Sequence, residues 1–250
     1  MGNGEWGMGD GDDQMQNAMP NAALAVIALE FGVWDLELRM DTREYFNDVA
    51  SEWDSMRARF FGEGVRKAVV AAAGIEPGMT VADIGTGTGF LAEAAIEAGA
   101  RVIGIDLSER MLAQVTARLQ GKPFEARQSD AVSLPLREAE VDAVLANMFL
   151  HHAEDPPSAI REMVQALKPG GRLVITDADT HTHEWLRTEQ HDRWLGFDRG
   201  DIRRWFEEAG LEQVTVGDTR EICSPTSECG TEAAITIFLA RGVRPLGESS

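Results

Sequence analysis

Between Thr80 and Asp177 the hydropathy pattern switches back and forth between the strand and helix periods, and this alternation limits the fold more than any other feature of the chain. Thr80–Ile84, Arg101–Leu107, Phe124–Gln128, Val141–Asn147 and Arg172–Asp177 are short runs of strand character, most of them continuously apolar, as in strands covered on both faces. Between them lie helical stretches. Gly89–Ala98 is rich in alanine and closed by Gly99, a second runs from the N-cap Ser108 through Leu119, and Pro157–Leu167 carries proline in its first turn. Parallel strands need a crossover, usually a helix, so strand–helix repeats of this length predict βαβ units with right-handed connections. Asp201–Ala209 adds a helix stopped by Gly210. Glu212–Asp218 and Ala233–Arg241 add two strands with no helix-length pattern between them, which predicts an antiparallel hairpin at the end of the sheet.

The flanks are less regular. Residues 43–60 place Tyr45, Phe46, Val49, Trp53 and Met56 at helical spacing, and residues 64–73 make a second helix that Gly74 and the Pro77-Gly78 turn stop. Residues 1–20 hold five glycines and four acids without periodicity and are expected to be a disordered tail. Residues 21–42 are expected to form a helical arm or lid, 43–241 the main domain and 242–250 a flexible tail. The 23 basic and 42 acidic residues sum to a net charge of −19, which argues against nucleic acid or an anionic membrane as partner, because such binding runs on Lys and Arg. The longest clean apolar run, Ala22–Leu29, is far short of a membrane span, and no Lys or Arg precedes Arg39 to build a secretory n-region. A cytoplasmic protein, monomer or homodimer, acting on a small molecule is expected. Two cysteines are too few for a disulfide scaffold.

The stretch with most chemistry is Val81-Ala82-Asp83-Ile84-Gly85-Thr86-Gly87-Thr88-Gly89-Phe90, a strand running through a glycine turn into a helix. Glycines admit positive φ and close backbone approach, and the helix start offers unpaired N–H groups. Asp106 ends the second strand 23 residues after Asp83, near the ~20-residue interval at which an acid meets ribose hydroxyls. A dinucleotide site would have its third glycine one residue later, where this chain has Phe90.

With these spacings the chain resembles class I S-adenosylmethionine (SAM)-dependent methyltransferases of the UbiE-like kind. Five more segments carry the resemblance: Tyr45–Asp54, Asp106-Leu107-Ser108, Ser129-Asp130-Ala131, Asn147–His152 with Asp155-Pro156, and the Leu167–Gly171 turn. It implies an α/β fold, a Rossmann-like doubly wound seven-stranded sheet, mostly parallel with an antiparallel C-terminal strand. It also implies SAM as cofactor and S-adenosylhomocysteine as product. Asp83, Gly85, Thr86, Gly87 and Gly89 would face the methionine part, Asp106 the ribose and Leu107 the adenine. Asp130 and Ala131 would meet the adenine amine, Asn147 and Met148 would flank the sulfonium, and a leading helix with Tyr45 and Trp53 would close over the cofactor. A non-catalytic SAM-binding protein is the alternative, and a nicotinamide oxidoreductase a weaker one.

On the acceptor side, His151 and His152 follow the fourth strand at the sheet edge where such folds bind ligands, and either is a candidate base. His183 and the thiols Cys223 and Cys229 are candidate substrate contacts, the thiols suiting a thiol or metalloid acceptor. The segments around His183–Phe206 resemble methyltransferases associated with ArsR-type repressors, without the winged helix. His181, His183 and His191 with Glu184 have metal-ligand chemistry, and Glu184 and His191 would share a helix face. Scattered histidines in acid-rich loops usually bind nothing, so no metal is expected.

Overall fold

Seven strands pair into one sheet in a computed structural model that describes residues 1, 42–129 and 133–247. They are Thr80–Ile84 (β1), Arg101–Asp106 (β2), Phe124–Gln128 (β3), Val141–Asn147 (β4), Leu167–Ala178 (β5), Glu212–Cys223 (β6) and Ile235–Val243 (β7). Their order is β3-β2-β1-β4-β5-β7-β6. The first five are parallel, and β7 runs antiparallel between β5 and β6. The chain divides into two units, Met1–Met40 and Asp41–Ser250, and the sheet belongs to the second. The calls on residues 2–41, tail and arm, and on residues 248–250 lie outside the described residues.

The side-chain period of two assigns each strand residue to one of two cores. Ile84, Ile103, Ile105, Val144, Ala146, Leu173 and Ile175 pack on one face with the helices Pro156–Ala166 (α6) and Arg199–Glu208 (α8). Val81, Val102, Ala143, Leu145 and Val174 pack on the other with Glu63–Ala73 (α3), Phe90–Glu97 (α4) and Glu109–Arg118 (α5). Both faces are covered, as the continuous apolar strands require. Connections leave β1 toward β2 on one side and return to β4 on the other, so the C-terminal ends of β1 and β4 form a switch point where open α/β sheets bind ligands.

Four expectations shift, the first being β6, which runs on past Asp218 to Cys223. Residues 43–60 are two helices, 42–49 (α1) and Trp53–Phe60 (α2). The Glu52 amide donates to the Val49 carbonyl at 2.9 Å, a turn bond that ends α1 and turns Trp53 and Asp54 toward the glycine turn. β5 starts at Leu167 because Leu167 already pairs with Val141 before the register shifts to Ala143–Arg172. β7 continues to Val243, and Arg244 is held by a 2.8 Å bond from its amide to the Gly171 carbonyl, so 242–244 belong to the domain rather than to a tail.

Candidate functional site

β1 delivers the chain into the glycine turn at the switch point. Gly85 and Gly89 have φ of +67° and +97°. A Cβ on Gly85 would lie 2.6 Å from Phe149 Cδ2, and one on Gly89 2.6 Å from Val115 Cγ2, so the turn is closed to any larger residue. Thr86 Oγ1 donates to Asp83 Oδ2 at 2.7 Å. Asp83 is buried, and burial pushes its carboxyl up to about 7 although the Thr86 hydroxyl and the Ala92 amide favour the anion. Asp106 accepts from the Gly87 amide at 2.8 Å and the Ser108 amide at 2.9 Å. Burial raises its pKa too, opposed by those amides. A carboxylate has about four acceptor sites, so Asp106 retains capacity for two neighbouring hydroxyls.

The leading helices hold this turn from above. Thr88 Oγ1 donates to Asp54 Oδ1 at 2.5 Å, and Arg118 pairs with the other Asp54 oxygen. Burial opposes the Asp54 charge, but the bonds from Arg118 and Thr88 outweigh it and lower the pKa. Trp53 Nε1 lies 3.3 Å from where a Gly87 Cβ would stand. In α1, Asn47 Oδ1 accepts from Ser108 Oγ at 2.7 Å, tying the helix to the start of α5.

From Trp53 a chain of rings leads to a second cluster. Phe46 is edge-on to Trp53 at 5.5 Å and to His152 at 5.1 Å, and Tyr45 lies 4.6 Å from His191. The Tyr45 hydroxyl donates to Gln190 Oε1 at 2.7 Å, and burial with the charge of Asp192 pushes its pKa to about 12. His151 Nδ1 and Asp177 Oδ1 are 2.7 Å apart, and the same carboxylate accepts from the Leu150 amide at 2.8 Å. His151 Nε2 is 3.6 Å from Asp192 Oδ1. Burial works against a charge on His151, yet the two carboxylates raise its pKa to about 9. Burial, joined by His151, drives His152 well below its ordinary value, so it is neutral. Its Nδ1 is 3.2 Å from the His191 carbonyl, which can only accept, so the lone pair sits on Nε2.

Residues 82–175 match the family profile described as a methyltransferase domain. The matched segment resembles the SAM-dependent methyltransferases. A demethylmenaquinone methyltransferase of Desulfitobacterium hafniense is 34% identical over 167 residues, 63% of this chain and 65% of that protein. The chain thus spans slightly less than two thirds of that relative's length. A chain solved in complex with the Haloferax volcanii Trm112 methyltransferase activator superposes with a TM-score of 0.67 at 25% identity, covering 80% of this chain and 97% of that one. Phosphoethanolamine N-methyltransferase 2 of Haemonchus contortus, solved with SAM, shares the fold with a TM-score of 0.61 at 18% identity, over 74% of this chain and 53% of its own.

Within this methyltransferase fold, Asp83, the glycine turn, Asp106, Tyr45, Trp53, His151 and His152 lie along one continuous set of contacts. Leu107 directly follows β2 beside them, its carbonyl accepting from Gln128 at 3.2 Å. Asn147 Oδ1 accepts from Thr176 Oγ1 at 2.9 Å, and Met148 follows with φ of +50°. Asp130 and Ala131 lie outside the described residues. His183 is placed beside His181, with ring centroids 5.5 Å apart, and His181 feels the charges of His151 and Asp177. His191 does not share a helix face with Glu184, because the short helix Trp185–Glu189 (α7) ends first and His191 takes a left-handed φ of +58°.

The thiols occupy unlike surroundings. Cys223 is buried in an apolar cluster, and burial pushes its pKa to about 12, whereas Cys229 is exposed in a turn with Ser227 and Thr231. Sequence reasoning missed Asp177, Asp192 and Asp54 as parts of the site. Asp177 was readable as an acid at a strand's C-terminal end, but Asp192 sits in a loop without periodicity and Asp54 on a helix face like any surface acid.

Proposed function

We propose that this chain binds SAM across the glycine turn and transfers its methyl group in line to a small-molecule acceptor. The observation that carries the reading is the continuity of the glycine turn with the His151–His152 cluster beneath one pair of leading helices, through Trp53 and Phe46. Asp83 and residues 85–89 would take the methionine part and Asp106 the ribose hydroxyls. Leu107, with Asp130 and Ala131, would take the adenine. Asn147 and Met148 would flank the sulfonium from the end of β4. Tyr45 and Trp53 would shut out water, which strengthens every charge interaction inside. Holding the acceptor atom in line with the methyl carbon supplies most of the rate in such a displacement. The C–S bond breaks with its electron pair going to sulfur, leaving S-adenosylhomocysteine.

For a hydroxyl acceptor, the His152 Nε2 lone pair is the first proton acceptor in the unaided site. The relatives named demethylmenaquinone methyltransferase and ubiquinone biosynthesis O-methyltransferase support a quinone-related ring as the first acceptor class. The net charge of −19 supports a small molecule over nucleic acid. A thiol or metalloid acceptor is the second class, with Cys223, Cys229 and His183 as its contacts, although the unlike surroundings of the two thiols lend it less support.

The test is transfer of label from methyl-labelled SAM to a panel of quinols, catechols, thiols and arsenite, with His152→Ala beside the wild type. Acceptor-dependent S-adenosylhomocysteine formation, lowered roughly 10²–10⁴-fold in His152→Ala, is the expected result. SAM bound without turnover on any acceptor would replace the enzyme by a SAM-binding protein.

A further inference from the structure

We propose that His151, His152 and Asp192 form a binding site for one zinc-class divalent ion on the acceptor side of the cofactor turn. One ring nitrogen from each histidine and one Asp192 oxygen lie within 4.8 Å of one another. The Nδ1 positions are already engaged, His151 by Asp177 and His152 by the His191 carbonyl, so both imidazoles are oriented with Nε2 as the available nitrogen. A carboxylate or carbonyl behind each ligating imidazole is how metal-binding histidines are held and made more basic. His151 Nε2 and Asp192 Oδ1 stand 3.6 Å apart, too long for a hydrogen bond. That separation is close to the edge of a tetrahedron around an ion with ~2.1 Å bonds, roughly 3.4 Å.

The Asp177 side chain is fully buried and that of Asp192 is 10% exposed, and both face His151. A dication bound between the two imidazoles would lie beside both carboxylates, which offset the cost of burying its charge. Two histidines and one carboxylate leave a fourth tetrahedral position open, the pattern of a site that accepts a water or a substrate atom. Imidazole with carboxylate suits zinc and its neighbours rather than magnesium or calcium. The cluster is built from parts the sequence places far apart: the turn after β4, the end of β5 and the loop after α7.

The ion's role rests on the methyl-transfer reading, though its binding does not. With the ion in place, His152 Nε2 is a ligand and no longer a base. The acceptor oxygen would take the fourth position and lose its proton to solvent, because a dication lowers the pKa of a bound hydroxyl. It would then attack the methyl carbon as an anion.

The experiment titrates Zn2+ into untagged full-length protein after chelator treatment, by calorimetry, and follows Co2+ by its visible spectrum. One equivalent of Zn2+ with submicromolar affinity and a tetrahedral Co2+ spectrum are expected. His152→Ala and Asp192→Asn should each weaken binding by 100-fold or more, and Asp177→Asn by roughly 10–100-fold through the imidazole it orients. Each variant is also titrated with S-adenosylhomocysteine, which reports whether it is folded. Folded wild type that takes up no stoichiometric ion, or variants that bind as the wild type does, would overturn the site. Ion binding without S-adenosylhomocysteine binding would instead overturn the methyl-transfer reading and leave the ion site standing.

Discussion

Asp83 shows how a single side chain can be both fully enclosed and chemically poised. Its carboxyl is 2% exposed and held by Thr86 and the Ala92 amide at the start of α4. Its folded pKa, about 7, stands above the ordinary carboxyl value of 3.8, so the native state binds the proton more tightly than the unfolded chain does. Its contribution is therefore fully present below pH 3.8 and is lost as pH rises toward 7, where the native anion is buried at a cost. Asp83→Asn keeps the shape without the titration. Its stability relative to wild type should rise between pH 4 and 7, by on the order of 1–4 kcal/mol, in urea unfolding at a series of pH values. A difference that stays flat across that window would contradict the burial argument. The residue was legible in the sequence through its place two positions before the first glycine. Its perturbed acidity was not, because that comes from surroundings supplied by other strands.

The leading helices are the least autonomous elements described. α2 buries no residue completely and is fastened by Asp54, through Thr88 and Arg118, rather than by a core of its own. Elements with few buried apolar contacts open locally at low free energy. Asp54→Ala should raise amide hydrogen exchange across residues 42–60 while leaving β1, β4 and β5 protected, and should weaken S-adenosylhomocysteine binding about tenfold. Exchange unchanged in 42–60 would mean that the ring contacts of Phe46 and Trp53 suffice to hold them. The helical spacing of Tyr45, Phe46, Trp53 and Met56 announced these helices. The break at residues 50–52 carries no glycine or proline and was invisible until the glycine turn was in place for Trp53 and Asp54 to meet.

At the scale of the molecule, the alternation of periods was enough to set out a doubly wound sheet. The parity of apolar residues along β1, β2, β4 and β5 explains why helices must cover both faces. The lengths of β5 and β6 were underestimated because register shifts at residues 141–143 and 218–222 interrupt the pattern without ending the pairing. Of the site, the half built by local sequence was legible: a glycine turn, an acid at a strand end, a histidine pair after β4. The half built by distant loops, with Asp177 and Asp192 around His151, was not, since nothing in the chain sets these residues at a recognisable interval. The whole arrangement brings the glycine turn next to a titratable cluster. The most direct measurement is S-adenosylhomocysteine binding by calorimetry to the wild type and to Asp106→Ala, with urea unfolding to show that both are folded. One site per chain with micromolar affinity, weakened 100-fold or more in the folded variant, is the predicted result. Folded wild type that binds neither S-adenosylhomocysteine nor SAM, or a variant that binds as well as wild type, would contradict the account.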